Sequence, residues 1–578
     1  MNPYIHKSSK SRDIQNTDEK KNQFIPAWLN RAPEKGSFRS ILKWGSPDEF
    51  KNPSPGFLNV IKQELGLDDS DFKEKQKPGE QKVKDCREPM ISEADIRLFE
   101  DIVGKENLAV DTYERLKYSS GKSMEDIFKL RENIIDKISD LVLHPRDKED
   151  VKNIIALCND KKIPVHVYSG GSSVTFGLNC PKGGVTLVMS THMNKIISFS
   201  EKNQTITVEP GMMGPFYEDL LNNAPENLGT KKRYTGGHFP QSFEYSSVGG
   251  WVVTLGSGQA SSYYGDACDL VISQEYITPS GSFKTHEYPG TATGPKVNDI
   301  MKGSEGCFGV LVAVTMKVFS YNPENSKAFT FMFPDFEKAA TAARQICQGE
   351  FGMPSILRIS DAEETDVAMK MYGLEHGVLD KFMKFKNLMP GQRCLLMGKT
   401  DGEKSFSKNI AKQVRKICKK NQGLSLTGYP MKKWYKGRFS DPYMRDTLND
   451  FSVLIDTLES SVTWDNIHDL HKQVRTYIKN LPNTICMTHA SHFYSQGTNL
   501  YFIFITKMKS IDEFRTFQQG VIECIEANKG SLSHHHGIGR MMAPWMEKHL
   551  GKEQMDVLRS IKKHFDPNGI MNPGALGL

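Results

Sequence analysis

The feature that most limits this fold is a strand that ends directly in a glycine turn. Residues 163–169 read IPVHVYS and run without a break into GGSSVTFG. Gly170 and Gly171 let the backbone bend sharply and approach a ligand with no Cβ in the way. Consecutive N–H groups in such a turn form an anion-binding nest, and Ser172 and Ser173 add hydroxyl donors. The loop matches neither G-x-G-x-x-G nor the G-K-[ST] ending of nucleotide triphosphate loops, and by itself it reads equally as a plain tight turn. Its flanks are more informative. DLVLHP (140–145) reads as a strand. KEDVKNIIALCNDKK (148–162) reads as a helix, with Val151, Ile154, Ile155 and Leu157/Cys158 at helical spacing. GVTLVMS (184–190), KIISFS (195–200) and QTITVEPG (204–211) are three further strands. A β-α-β opening followed by a run of strands predicts an α+β domain, not a repeating βαβ fold.

Two more glycine-rich stretches follow. Residues 235–270 are dense in Gly and Ser yet hold large apolar residues, Trp251 among them. Flexible linkers lack such residues, so a buried loop whose backbone touches a ligand explains the stretch better. Residues 300–319 are a glycine turn feeding a β-branched strand. From about residue 325 the texture resets. AFTFMFP, SILRIS and RCLLMGKT read as strands; FEKAATAARQICQ and EKSFSKNIAKQVRKICKK read as helices. TWDNIHDLHKQVRTYIKNL carries Ile467, Leu470, Val474 and Ile478 on one side, and TICMTHASHFY with NLYFIFITK reads as a hairpin. Helices on one face of an antiparallel sheet are predicted.

At 578 residues the chain is too long for one core. The expected layout is an irregular arm and linker (1–90, with one short helix at 55–67 and a solvated linker at 68–88), a helical segment (91–136), a ligand-binding domain (137–322), a second domain (323–529) and a returning tail (530–578). Net charge is +6, from 75 basic and 69 acidic side chains, with no basic block, so nucleic acid is not an expected partner. No apolar run of about 18 residues is found, and the N-terminus lacks a secretory h-region. The end, GALGL, is not a peroxisomal tail. The 10 cysteines contain no C-x-x-C pair, so reduced core thiols in a cytoplasmic protein are expected.

The sharpest motif is GSLSHHHGIGR (530–540). His534, His535 and His536 read either as a surface cluster, with His534 and His536 on one strand face as adventitious metal ligands, or as a proton-handling site, since histidine moves protons near neutral pH. No dedicated metal site is expected.

Together the three glycine stretches resemble the FAD-binding domain of the vanillyl-alcohol-oxidase-type (PCMH-type) flavoproteins, over roughly residues 90–578. The resemblance implies an α+β fold: a two-subdomain FAD-binding domain plus a cap domain with an antiparallel sheet covered by helices. It implies FAD contacts at Val167, Tyr168, Ser169, Gly170, Gly171, Ser172 and Ser173, around the pyrophosphate. It implies further contacts at Pro240, Gln241, Ser242, Phe243, Glu244, Tyr245, Ser246, Val253, Thr254, Leu255, Gly256 and Ser257, along the ribityl chain and ring. Ser304, Glu305, Gly306, Cys307, Phe308, Gly309 and Val310 would close over the adenine end. Some relatives bind FAD covalently through a His or Cys beside the first loop; residues 169–173 hold neither, so dissociable FAD is expected.

The three-histidine motif resembles that of the alkyldihydroxyacetonephosphate synthases, which swap the acyl chain of acyl-dihydroxyacetone phosphate for a fatty alcohol through an adduct at flavin N5. SILRISDAEE places the family's essential arginine at Arg358, on the strand face opposite Leu357 and Ile359. NLYFIFI places its catalytic tyrosine at Tyr501, and PYMRDTLNDF places its phosphate-binding arginine at Arg445. Without the resemblance these three read as a surface strand arginine, a core aromatic and a surface helix arginine. GKSMEDIFKLRENIID (121–136) is similar to a helical segment ahead of the family's FAD domain. Long-chain substrates imply peripheral membrane contact, through 374–391 or 540–550, and a homodimer is expected. The tail DPNGIMNPGALGL resembles that of flavin 2-hydroxy-acid dehydrogenases and suggests a bacterial member. Two other readings therefore stand beside the synthase: an FAD-dependent dehydrogenase or oxidase of a 2-hydroxy acid, of D-lactate or glycolate type, and a catalytically silent FAD-binding protein.

Overall fold

Three sheets organise the chain. The computed structural model describes residues 24–84, 86–508 and 510–578, so the first 23 residues of the expected arm lie outside the described residues. The first sheet has the order Leu108–Ala109, Leu141–Leu143, Val185–Val188, Val165–Tyr168, and its last three strands are parallel. The helix Lys148–Lys161 crosses between two of them. Asp147 caps it by accepting the N–H groups of Glu149 and Asp150, and Val151, Ile154, Ile155 and Cys158 form its buried face. The second sheet is antiparallel: Ile196–Ser200, Thr205–Val208, Val310–Lys317, Val271–Thr278, Gly281–Lys284.

The third sheet is antiparallel and seven-stranded, in the order Leu424–Ser425, Lys327–Phe333, Cys394–Thr400, Ile356–Ser360, Ile485–Ala490, Gly497–Lys507, Val453–Thr463. Helices Phe336–Cys347, Lys404–Lys420, Ile467–Lys479 and Ile511–Ala527 cover one face. Their apolar sides (Ile346, Val414, Val474 and Val521 among them) share a core with Leu357, Ile359, Phe502 and Phe504. On the opposite face the arm helix Pro55–Leu65 packs Phe57 and Ile61 against Ile485 and Ile505. The rest of that face is left for other contacts. The tail returns to the first sheet, where Val165 N–H bonds Ile570 O and Asn572 N–H bonds Val165 O, both at 2.8 Å. The architecture is thus α+β, as the strand and helix periodicities indicated. Among the described residues no helix is long and apolar enough to cross a membrane.

Three expectations change. The stretch 68–88 is not a free linker. Phe72 is fully buried, with its ring 5.5 Å from Phe451, and Lys507 binds Asp71 at 2.5 Å. Its polar composition hid the one aromatic that pins it. The stretch 235–270 is buried as expected but is not a loop throughout: it forms short helical turns at Phe243–Tyr245, Val248–Val253, Ser261–Tyr264 and Ala267–Leu270. Glycine permits this packing: a Cβ on Gly249 would come within 2.4 Å of Pro210. In 540–550, Met541, Met542 and Met546 are buried in the core, with Trp545 and Leu550 half-buried against it, so the apolar side of that stretch is a core face.

Candidate active site

Strand alternation and register build the site. Side chains two residues apart share a face of a strand, and residues paired across strands share it too. Leu357 and Ile359 point into the helix-covered core, so Arg358 points to the other face. Tyr501 pairs with His489 on one neighbour and with Glu459 on the other. Four strands adjacent in the sheet therefore line up Arg358, His489, Tyr501 and Glu459 in one row. Arg358 NH2 donates to Glu364 Oε1 at 2.5 Å and meets His489 Nδ1 at 2.9 Å. The His489 ring stacks on Tyr501 at 4.8 Å, and the Tyr501 hydroxyl donates to Thr457 Oγ1 at 3.1 Å.

The histidine run lies over this row as a loop, not a strand. Two buried carboxylates suspend it. Glu459 accepts the backbone N–H groups of His534, His535 and His536 at 2.8–3.1 Å and the Ser533 hydroxyl at 2.6 Å. Glu305 accepts those of Ile538 and Gly539, both at 2.7 Å. Successive N–H groups converging on one anion form a nest, here filled by the protein's own glutamate. The loop thereby stacks His535 on Tyr501 (5.8 Å) and sets His536 edge-on to it (5.4 Å). The strand-face pairing of His534 with His536 does not occur. The ring nitrogens that gather within 4.8 Å of one another belong to His492, His534 and His535.

Burial sets the charge states. It lowers the pKa of His535 to about 3 and lowers those of His536 and His492 as well, so these imidazoles are neutral near pH 7 and able to accept a proton. Burial also raises the Tyr501 phenol to about 12. For Glu459 burial opposes ionisation, but His535, His536, His534 and Ser533 outweigh it and hold the carboxyl well below its usual range. Burial likewise opposes ionisation of Glu364, which Arg358 and then His489 keep ionised.

Arg445 lies on the helix Asp441–Asn449 and is not a surface arginine: its side chain is 12% exposed. NH1 donates to Lys122 O at 2.9 Å, while Nε and NH2 have no hydrogen-bond partner among the described residues. Lys122 N–H in turn bonds Ser173 O of the first glycine loop at 2.7 Å. Asp446 Oδ1 lies 3.8 Å from Nε, too far for a hydrogen bond, so a buried guanidinium with two donors not hydrogen-bonded stands beside that loop and suits an oxyanion.

Comparisons with known proteins bear on the family and the cofactor. Residues 139–286 match the family model "FAD binding domain", and residues 322–576 match "FAD linked oxidases, C-terminal domain". The chain is 29% identical over 561 residues to an alkyldihydroxyacetonephosphate synthase of Dictyostelium discoideum, covering 92% of this chain and 89% of that one. A solved alkyldihydroxyacetonephosphate synthase superposes with a TM-score of 0.78 at 25% identity, over 93% of this chain and 99% of that one. Together the two family models span more than half of the chain, which belongs to the FAD-linked oxidases, and over most of its length it is similar to alkyldihydroxyacetonephosphate synthases.

It has the fold of the PCMH-type flavoproteins and is an FAD-dependent enzyme. A glycolate oxidase subunit GlcD of Bacillus subtilis is a further relative, 24% identical over 86% of this chain and 97% of that one. None of these comparisons supports the expectation of a bacterial member.

The residues present fit FAD. In the first loop a Cβ on Gly170 would come within 2.5 Å of Tyr245 O, so only glycine lets the first and second stretches close on one another. Buried polar atoms without a protein partner among the described residues gather on the same stretches: Ser169 Oγ, Ser304 Oγ and both ring nitrogens of His238. Phe243, Cys307, Phe308 and Val310 differ from the other expected contacts: their side chains belong to hydrophobic cores, which leaves only their backbone for a ligand. His166 bonds Asn572 Oδ1 and Gly183 O, both at 3.2 Å, and Cys180 is buried beside Thr186, so both are engaged away from the first loop.

His489, His492, Glu459, Glu364, Tyr494 and Asp266 were missed in the sequence. One signal was there to read: the strand Val453–Thr463 carries two carboxylates, Asp456 and Glu459, and Glu459 is the one paired with Tyr501.

Proposed function

We propose that this enzyme exchanges the acyl group of acyl-dihydroxyacetone phosphate for a fatty alcohol. The observation that carries the reading is Arg445, a buried arginine with two unmatched donors, in the same chain as an uncharged acid–base row of Tyr501, His535 and His536. A phosphate-bearing substrate needs such an arginine; a simple 2-hydroxy acid does not.

Bound FAD would be held by the three glycine-rich stretches, without a covalent link, and would supply the electrophilic ring that lets one oxygen substituent replace another without net redox change. The chain's own residues would do the rest. Arg445 binds the phosphate. Tyr501, kept as a phenol by burial, takes the C1 proton only as it passes its own hydrogen onward, which favours a histidine relay over a standing phenolate. A neutral histidine above Tyr501 then accepts the proton of the incoming alcohol, with Glu459 beneath the loop stabilising the imidazolium. Arg358 opposes negative charge as it develops.

The test is incubation of the holoenzyme with palmitoyl-dihydroxyacetone phosphate and hexadecanol. Ether product and free palmitate appearing in equal amounts support the reading. No ether product, with flavin bleached by D-lactate or glycolate, would replace it with the hydroxy-acid oxidoreductase.

A further inference from the structure

We propose that Tyr494 and Asp266 carry the proton released in each exchange from the histidine cluster to a solvent-open cleft. The inference rests on the exchange reading above. That reaction turns an ester and an alcohol into an ether and a fatty acid, and the acid is a carboxylate at neutral pH. One proton must therefore leave the buried site per turnover. The histidine loop also borders a cleft of about 840 Å³, lined by His534, Tyr494, Asp266, Lys529 and His549, and the last two are exposed.

The hydrogen bonds run one way, from cluster to cleft. The Tyr494 hydroxyl donates to Asp266 Oδ2 at 2.6 Å. With its hydrogen engaged there, the Tyr494 oxygen accepts from His534 Nε2 at 2.6 Å. His534 thus carries its hydrogen on Nε2, and its bare Nδ1 accepts from His535 Nδ1 at 3.1 Å. His535 Nε2 is left as the free lone pair at the inner end. A proton arriving there releases the Nδ1 proton to His534 Nδ1. His534 passes its Nε2 proton to Tyr494, Tyr494 passes its own to Asp266, and Asp266 gives it to water in the cleft. Each residue of the relay gains one proton and loses one, no electron changes place, and His535 and His534, left in the opposite tautomers, return to their starting ones by ring rotation before the next turnover. Glu459, 3.5 Å from His535 Nδ1, stabilises the imidazolium in transit.

Asp266 is built into position. It caps the short helix Ala267–Leu270, with its N–H bonded to Asp269 Oδ2 at 3.0 Å. Its other oxygen accepts the Ser257 hydroxyl, which itself meets His492 Nδ1 at 2.8 Å. The carboxylate is therefore tied to the cluster by two routes, through Tyr494 to His534 and through Ser257 to His492.

The experiment compares wild-type, Tyr494→Phe and Asp266→Asn holoenzymes in the palmitoyl-dihydroxyacetone phosphate and hexadecanol assay, in H2O and D2O. The expected result is unchanged FAD content and unchanged KM for both substrates, kcat lower by about tenfold or more, a larger solvent isotope effect, and partial rescue of Asp266→Asn by imidazole. Full kcat with an unchanged isotope effect in Tyr494→Phe would overturn the relay. Absence of ether product from the wild-type enzyme would count against the exchange reading alone. The relay is then read without turnover, in 15N-histidine spectra of the holoenzyme: Tyr494→Phe must shift His534 away from the Nε2–H tautomer, and an unchanged tautomer overturns it.

Discussion

Tyr501 sits where its own strand pairs with two others, with His489 on one side, Glu459 on the other and His535 above. Its hydroxyl touches only Thr457 among the described residues, so Tyr501→Phe removes a proton carrier at little cost to packing. We expect that variant to bind FAD normally and to lose exchange by about a hundredfold or more, a range set by general acid–base catalysis; near-normal turnover would move the chemistry elsewhere. Glu459→Gln tests the anion beneath the loop. Removing it makes each imidazolium less stable, so kcat should fall and the acidic limb of the pH–rate profile should move to lower pH. An unmoved limb would mean that Glu459 only shapes the loop. Arg358 and Tyr501 were reached through the family resemblance: alternation sets Arg358 opposite Leu357 and Ile359, but by itself it leaves Tyr501 as a core aromatic. His489 and Glu459 were not legible, because their place depends on register between separate strands, Ser360 with His489 and Glu459 with Tyr501.

Two elements extend the reading beyond the row. On the helix Asp441–Asn449, Arg445→Met should raise KM for acyl-dihydroxyacetone phosphate by roughly tenfold to a hundredfold, the worth of hydrogen bonds to a charged group. KM for hexadecanol and FAD content should not change; equal effects on both substrates would contradict a phosphate role. The helix Val378–Phe385 is the second. Met383 and Asp380 anchor its inner side, while Val378 is 87% and Phe385 80% exposed, among Lys381, Lys384 and Lys386. This face suits the interface of an anionic bilayer. Flotation with vesicles carrying phosphatidylglycerol should lose about a hundredfold or more in affinity when Val378 and Phe385 are both changed to serine, since each buried side chain is worth roughly 1.5–3 kcal/mol. Unchanged flotation would remove the helix from membrane contact. Sequence periodicity proposed 374–391 and 540–550 alike, because an apolar helical face looks the same whether it meets a core or a lipid. Only the packing of Met541, Met542 and Met546 separates the two.

At the scale of the whole molecule, the fold class was readable because the strand and helix periods are strong and the glycine turns fall at strand ends. The short helices within 235–270 were hidden by the same glycines that allow them. Buried neutral histidines also give the molecule an acid weakness. Burial lowers His166 and His535 to about 3 and His238 to about 4, against about 6.5 in an unfolded chain. Above pH 6.5 they are neutral in both states. Between 6.5 and those lower values only the unfolded chain binds the protons, so stability is lost as pH falls, by about 1.4 kcal/mol per pH unit for each histidine. Melting temperature should fall steadily from pH 7 to 5, and a flat profile would contradict their buried, neutral state. A homodimer is the expected assembly, to be checked by sedimentation equilibrium.

The central claim is that this site exchanges an acyloxy group for an alkoxy group with no net oxidation. The most direct measurement follows the flavin spectrum anaerobically while palmitoyl-dihydroxyacetone phosphate and hexadecanol turn over, with both products quantified. The account predicts palmitate and ether in equal amounts, many per flavin, with the flavin oxidised at the end. Stoichiometric flavin bleaching by D-lactate or glycolate, with no ether formed from the first pair, would contradict it.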